Sequence, residues 1–171
     1  MKIIITGGSG LLGQYLNRLL SSDNSILTFY FSNSGNCTDY YSKNIDITDF
    51  VNLKKAVSEF NPDVIIHTAA VSRPEICDKL PIETVNNINF KSTKVLAELC
   101  EQYNAKLIFT STDLVYSGIR DIPALETEPL EPVSIYAESK VNSELAIRSV
   151  FNNYLILRTS LLYGMGYNHS V

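Results

Sequence analysis

The chain has 171 residues, 45% of them hydrophobic, enough for one α/β domain with a core of ordinary size. Its formal net charge is −4, which argues against a nucleic-acid partner, because such a partner calls for a basic face. The longest apolar runs, such as Ile3-Ile4-Ile5 and Val64-Ile65-Ile66, fall far short of the roughly 20 residues of a membrane-spanning helix, and no basic block suggests a membrane anchor.

Met1-Lys2 leads straight into a strand pattern over Lys2–Thr6, so no secretory leader is expected. A helical pattern marked by Leu12, Leu16, Leu19 and Leu20 follows. Between the two lies Thr6-Gly7-Gly8-Ser9-Gly10-Leu11-Leu12-Gly13. Gly7, Gly10 and Gly13 give G-x-x-G-x-x-G, and glycine permits the positive φ of a tight turn and close backbone approach to a ligand. The helix that follows offers free N–H groups and the positive end of its dipole to a pyrophosphate. Its place in the first strand–turn–helix unit distinguishes this loop from an ordinary glycine-rich turn. The spacing is not that of nucleoside-triphosphate hydrolases.

A second strand is expected over residues 26–31, and cofactor preference should be written at its end. An acidic residue there favours NAD by accepting from the ribose 2′-OH, and an arginine favours NADP. The segment Tyr30-Phe31-Ser32-Asn33-Ser34 has neither. Ser32, Asn33 and Ser34 are candidates to hydrogen-bond a phosphate or a hydroxyl, and with no carboxylate to repel a 2′-phosphate the reading leans to NADP(H) over NAD(H).

Phe50, Leu53, Val57 and Phe60 mark a helix with Thr48 or Asp49 as N-cap, stopped by Asn61-Pro62. Val64–His67 is a third strand. A long helix is expected from about Pro81 to Tyr103, with Val85, Ile88, Leu96 and Cys100 on one face. Residues 106–110 form a fourth strand, 118–132 a loop with three prolines, 135–151 a helix and 154–158 a fifth strand. The alternation predicts a doubly wound parallel sheet of the Rossmann type, with ligands at the carboxyl ends of the strands. Cys37, Cys77 and Cys100 lack metal-type spacing, so reduced cytosolic thiols and no metal site are expected.

Tyr136-Ala137-Glu138-Ser139-Lys140 sets Tyr136 and Lys140 four residues apart on one helical face. A nearby ammonium would lower the phenol pKa from about 10, letting Tyr136 exchange a proton with a substrate oxygen. A snorkelling surface lysine is the plainer reading of such a pair. Ser111-Thr112-Asp113 ends the fourth strand, and Thr112 is placed to donate to a substrate carbonyl that gains negative charge. That cluster favours the catalytic reading.

These residues resemble the extended short-chain dehydrogenases/reductases, and within them the dTDP-4-dehydrorhamnose reductase group and its relative, the regulatory beta subunit of methionine adenosyltransferase. The resemblance rests on residues 5–13, Asp46-Ile47-Thr48-Asp49, 62–70, Arg73-Pro74-Glu75-Ile76-Cys77, 111–116, 136–140 and 157–164, in one order along nearly the whole chain. It implies Thr112, Tyr136 and Lys140 as catalytic residues. It implies a cofactor lined by Gly7, Gly10, Leu11, Leu12, Gly13, Asp46 and Ile47 at the adenine, Ala69, Ala70, Asn89, Tyr136 and Lys140, with Ser160 near the nicotinamide or the substrate. Asp46 and Asp49 also read as acids of a helix N-terminus, Asn89 as a backbone partner, His67 as a packed histidine, and Arg73 as either a phosphate contact or a solvated side chain.

The implied activity is NAD(P)H-dependent reduction of a 4-keto nucleotide sugar, in the cytoplasm, with a homodimer suggested by family analogy. A nucleotide-sugar epimerase or dehydratase, or a noncatalytic regulatory subunit, are the alternatives. Members of the family continue into further strands and a smaller lobe that binds the sugar nucleotide, whereas this sequence stops at Val171. The expectation is a cofactor-binding domain over residues 1–171, truncated before that lobe, with an exposed sheet edge and little or no turnover alone.

Overall fold

A six-stranded, wholly parallel sheet organises the chain in the computed structural model, which describes residues 1–118 and 123–165. The strands are β1 (Lys2–Thr6), β2 (Ser25–Tyr30), β3 (Ser42–Asn44), β4 (Val64–His67), β5 (Lys106–Thr112) and β6 (Tyr154–Thr159), in the order β3-β2-β1-β4-β5-β6. The strand order reverses between β1 and β4, with β2 and β3 added on one side and β5 and β6 on the other, and at such a switch point the loops part to leave a crevice beyond the strand ends.

Alternation along the strands sorts side chains between two faces. Ile4, Leu27, Ile65 and Leu107 point to one face, where α2 (Phe50–Phe60), α5 (Ser92–Tyr103) and α6 (Ile135–Val150) cover them with Leu53, Leu96 and Ile147. Ile3, Ile5, Ile26 and Ile66 point to the other, against Leu16 and Leu20 of α1 (Leu11–Leu20). Two helical segments, α3 (Pro74–Cys77) and α4 (Ile82–Val85), follow β4.

The doubly wound sheet is as expected, with differences that have local causes. β3 was not anticipated: Ser42-Lys43-Asn44 is a polar edge strand with no apolar alternation to reveal it. β5 runs two residues further than expected, carrying Ser111 and Thr112 within the sheet. Leu19, assigned to the apolar stripe of α1, is 68% exposed; Asn17 and Gln14 are buried instead.

Asp49 caps α2 by accepting from the Asn52 N–H at 3.1 Å, and Asn61, at φ +50°, ends it in the left-handed conformation before Pro62. The expected long helix contains a π-helical turn at Asn86–Lys91. Its wider register turns Asn89 to the interior, while Ile88, expected on the buried face, is only partly covered. Residues 119–122 of the expected loop, and Val171, lie outside the described residues. Cys37, Cys77 and Cys100 are buried free thiols. Among the described residues no helix is long and apolar enough to cross a membrane.

Candidate active site

A cleft of about 1130 Å³ opens at the carboxyl ends of β1, β2, β4, β5 and β6. Its floor is the glycine turn. Gly7 sits at φ +68°, and a Cβ there would lie 2.7 Å from the Ala69 nitrogen, so both conformation and space demand glycine. At Gly13 a Cβ would lie 2.2 Å from the Gly7 carbonyl oxygen, so the helix packs onto the turn only without a side chain. Gly8 was not assigned a role from the sequence, yet a Cβ there would meet Thr28 Oγ1 at 1.7 Å. No side chain caps α1, and its first backbone bond runs from the Gln14 N–H to the Gly10 carbonyl. The N–H groups of the first turn are thereby left for a ligand.

Gly7, Gly10, Leu11, Leu12, Gly13, Ser32, Asp46, Ile47, Ala69, Ala70, Thr112, Tyr136, Lys140 and Ser160 all line this cleft, and Arg73 stands at it too. Asp46 is braced by Thr48, whose N–H and hydroxyl both donate to its Oδ1, at 2.8 and 2.7 Å. Two expected cofactor contacts do not line the cleft. Asn33 turns its Oδ1 back to the Gly35 N–H at 3.0 Å. Asn89 is buried and clamps the loop after β4, accepting from the Val71 N–H at 2.8 Å and donating to the Val71 carbonyl at 3.1 Å and Ser139 Oγ at 3.0 Å.

Thr112, Tyr136 and Lys140 are brought together, each under 10% exposed. Thr112 ends β5 and Ser134 caps α6 by accepting from the Ala137 N–H at 3.1 Å, which starts the helix one residue before Tyr136. Lys140 Nζ donates to the Thr110 carbonyl at 2.9 Å and lies 4.6 Å from the Phe109 ring centroid and 5.9 Å from that of Tyr136. Burial lowers its pKa to about 8. The Tyr136 phenol departs from expectation. Burial raises its pKa, with the Cys77 and Asp113 side chains adding to the rise and the Thr112 hydrogen bond opposing it. Lys140 instead directs its ammonium to the Thr110 carbonyl.

His67 is buried at the end of β4, between Thr6 Oγ1 at 2.6 Å from Nδ1 and Thr93 Oγ1 at 2.9 Å from Nε2. Thr93 spends its hydroxyl proton on the Asn89 carbonyl at 2.6 Å, so it accepts from Nε2–H. Nδ1 then accepts from Thr6, whose oxygen accepts the Ala69 N–H at 3.3 Å. The histidine is a packed, neutral link between β1, the cleft loop and the π-helical turn, as the plainer reading had it.

Burial, and secondarily the charge of Lys140, lower its pKa to about 3. Between that value and an ordinary 6.5 only the unfolded chain takes up the proton, so stability falls as the pH drops through this window. From pH 7 to about 4.5 the wild-type chain is expected to lose about 2 kcal/mol more than His67→Gln in denaturant titrations. Equal losses would refute the assignment.

Sequence reasoning missed the support behind Thr112. Glu144, fully buried on α6, accepts a bidentate bond from Arg158 of β6, at 3.0 Å from Nε and 2.6 Å from Nη2, and a bond from Ser111 Oγ at 2.6 Å. Arg158 also donates from Nη1 to Tyr116 Oη and, at 3.1 Å, to the Glu126 carbonyl. One signal was present: Glu144 follows Lys140 by four residues, on the face of α6 that carries the pair.

Comparison with known proteins places this architecture. The family model for the RmlD substrate binding domain matches residues 1–171. A dTDP-4-dehydrorhamnose reductase of Escherichia coli K12 is 30% identical over 169 residues, 98% of this chain and 54% of that protein. Methionine adenosyltransferase 2 subunit beta of Xenopus tropicalis is 29% identical over 164 residues, 95% of this chain and 47% of the relative. A crystal structure of dTDP-4-dehydrorhamnose reductase from Bacillus anthracis in complex with NADP superimposes with a TM-score of 0.82 at 30% identity, covering 95% of this chain and 54% of that one. The chain thus spans about half the length of the relatives it matches.

Proposed function

Because the chain belongs to the RmlD substrate binding domain family, we propose that its cleft binds a nicotinamide dinucleotide and that residues 1–171 form the cofactor-binding part of a nucleotide-sugar reductase. One observation carries this reading. A side-chain-free glycine turn at an uncapped helix N-terminus shares a single cleft with the buried Thr112–Tyr136–Lys140 cluster. The turn suits a pyrophosphate, and the cluster suits proton transfer to a carbonyl oxygen.

The nicotinamide, when bound, supplies the hydride for reduction of a 4-keto sugar. The protein's own residues handle the oxygen that gains charge. Tyr136, kept protonated by burial, donates its phenolic proton to it. Thr112 donates a hydrogen bond to the same oxygen and stabilises the charge as it develops. Lys140 holds positive charge beside the phenol ring and favours the phenolate left after transfer. Arg73, at the edge of the cleft, is proposed to meet a substrate phosphate.

Binding is tested by titrating the chain with NADPH and NADH, followed by fluorescence. Saturable binding of at least one is expected, and binding of neither would sink the proposal. The substrate class is tested by offering 4-keto nucleotide sugars, with NADPH and NADH, to a protein of the relatives' full length. Failure of all of them, with copurification of a synthetase, would favour the regulatory role suggested by the Xenopus relative.

A further inference from the structure

A set of buried amides ties the segment after β2 to the phosphate loop, and the proposed chemistry uses none of them. Asn17, fully buried on α1, donates from Nδ2 to the Gly8 carbonyl at 3.0 Å and to Asn36 Oδ1 at 2.9 Å. Asn36, also buried, donates from Nδ2 to the Gln14 carbonyl at 3.0 Å. Gln14 in turn donates from Nε2 to the Ser9 carbonyl at 3.0 Å. Gly35 completes the contact. A Cβ there would lie 3.1 Å from both Ser9 Cα and its carbonyl oxygen, and φ is +52°, so a larger residue would push the two loops apart. Gly35 therefore rests on Ser9, and Asn36 is tied to Gly8 through Asn17.

Stability alone does not account for these amides. Gln14 Oε1 and Asn17 Oδ1 are buried with no hydrogen-bond partner among the described residues. A buried acceptor left unpaired costs free energy that an apolar side chain of the same size would not. Each amide nitrogen donates to one of the two loops or to the start of α1. The braced segment begins at Ser32, which lines the cleft, and is folded back on itself by Asn33.

We infer that the Asn17–Asn36 brace determines cofactor specificity. It holds residues 32–36 in fixed register against the phosphate loop, so that Ser32 and the backbone beside it meet the ribose 2′ substituent while the pyrophosphate rests on the start of α1. This rests on the cofactor reading above. Asn17 and Asn36 do not line the cleft; they are positioning residues. A braced loop discriminates because its donors stay at one distance from the 2′ position. A loosened loop adapts to either a hydroxyl or a phosphate and loses the difference.

The test compares the affinities of NADPH and NADH for the wild-type chain and Asn36→Ala, with thermal melts alongside. The wild type is expected to prefer one cofactor by roughly tenfold or more. Asn36→Ala is expected to bring that ratio to within about threefold while its Tm falls by only a few degrees. A purely structural role would lower stability or both affinities alike and leave the ratio in place, which overturns the inference. A wild-type ratio near one overturns it as well. If Asn36→Ala does not fold, Asn36→Ser is judged by the same ratio. Binding of neither cofactor by the wild type would instead remove the cofactor reading, so the two failures are distinguishable.

Discussion

Tyr136→Phe in a protein of the relatives' full length is expected to cut turnover of a 4-keto nucleotide sugar by roughly 10²–10⁴-fold, the range of a lost general acid. Dissociation constants for the cofactor should stay within about threefold, because the phenyl ring still fills its place and only the hydroxyl is gone. The ring packs with Cys77 and Val85, so the fold should tolerate the change. The raised pKa of the phenol fits a donor that must arrive protonated. Unchanged turnover would exclude Tyr136 as the proton source, and a matching loss of cofactor affinity would recast it as a binding residue.

Arg158→Ala is expected to be the most destabilising single change outside the apolar core. It leaves the Glu144 carboxylate buried, with Ser111 Oγ at 2.6 Å and Arg148 Nη2 only at 4.0 Å as remaining partners. Removing one partner of a buried pair costs about 3–5 kcal/mol, or on the order of 10 °C in Tm for a chain of this size. The double change Glu144→Leu with Arg158→Met should recover most of that loss, because the stranded charge is then absent. A loss below about 1 kcal/mol for Arg158→Ala would show that solvent or Arg148 compensates the carboxylate.

Ser111 adjoins Thr112 on β5, so the pair also supports the strand end that carries the proposed hydrogen-bond donor. Tyr116 and the Glu126 carbonyl, both held by Arg158, extend this support to the segment beyond β5. In a protein of the relatives' full length, Arg158→Ala should therefore lower the proposed turnover beyond what its loss of folded population explains.

The strand–helix alternation, the glycine turn and the Tyr136–Lys140 spacing were legible because each is a local pattern. Strand and helix periods are written in neighbouring residues, a tight turn at a helix start demands small residues in place, and an i,i+4 pair shares a face by helical geometry alone. The N-cap of α2 and its stop at Asn61-Pro62 were readable for the same reason. The polar strand β3 was not, since it has no alternation and exists only because β2 offers it an edge.

The sequence by itself thus determined the fold class, the position of the glycine turn and most of the residues assigned to the cleft, Asn33 and Asn89 excepted. The tertiary structure alone decided their environments. It buried Lys140 against Thr110 and Phe109, raised the Tyr136 pKa where a lowered one was expected, and turned Asn33 and Asn89 from the cleft toward backbone partners. It paired Glu144 with Arg158 across 14 residues of chain and Asn17 with Asn36 across 19. Such pairings leave no periodic trace, because desolvation and hydrogen bonding depend on which distant segments close over a side chain.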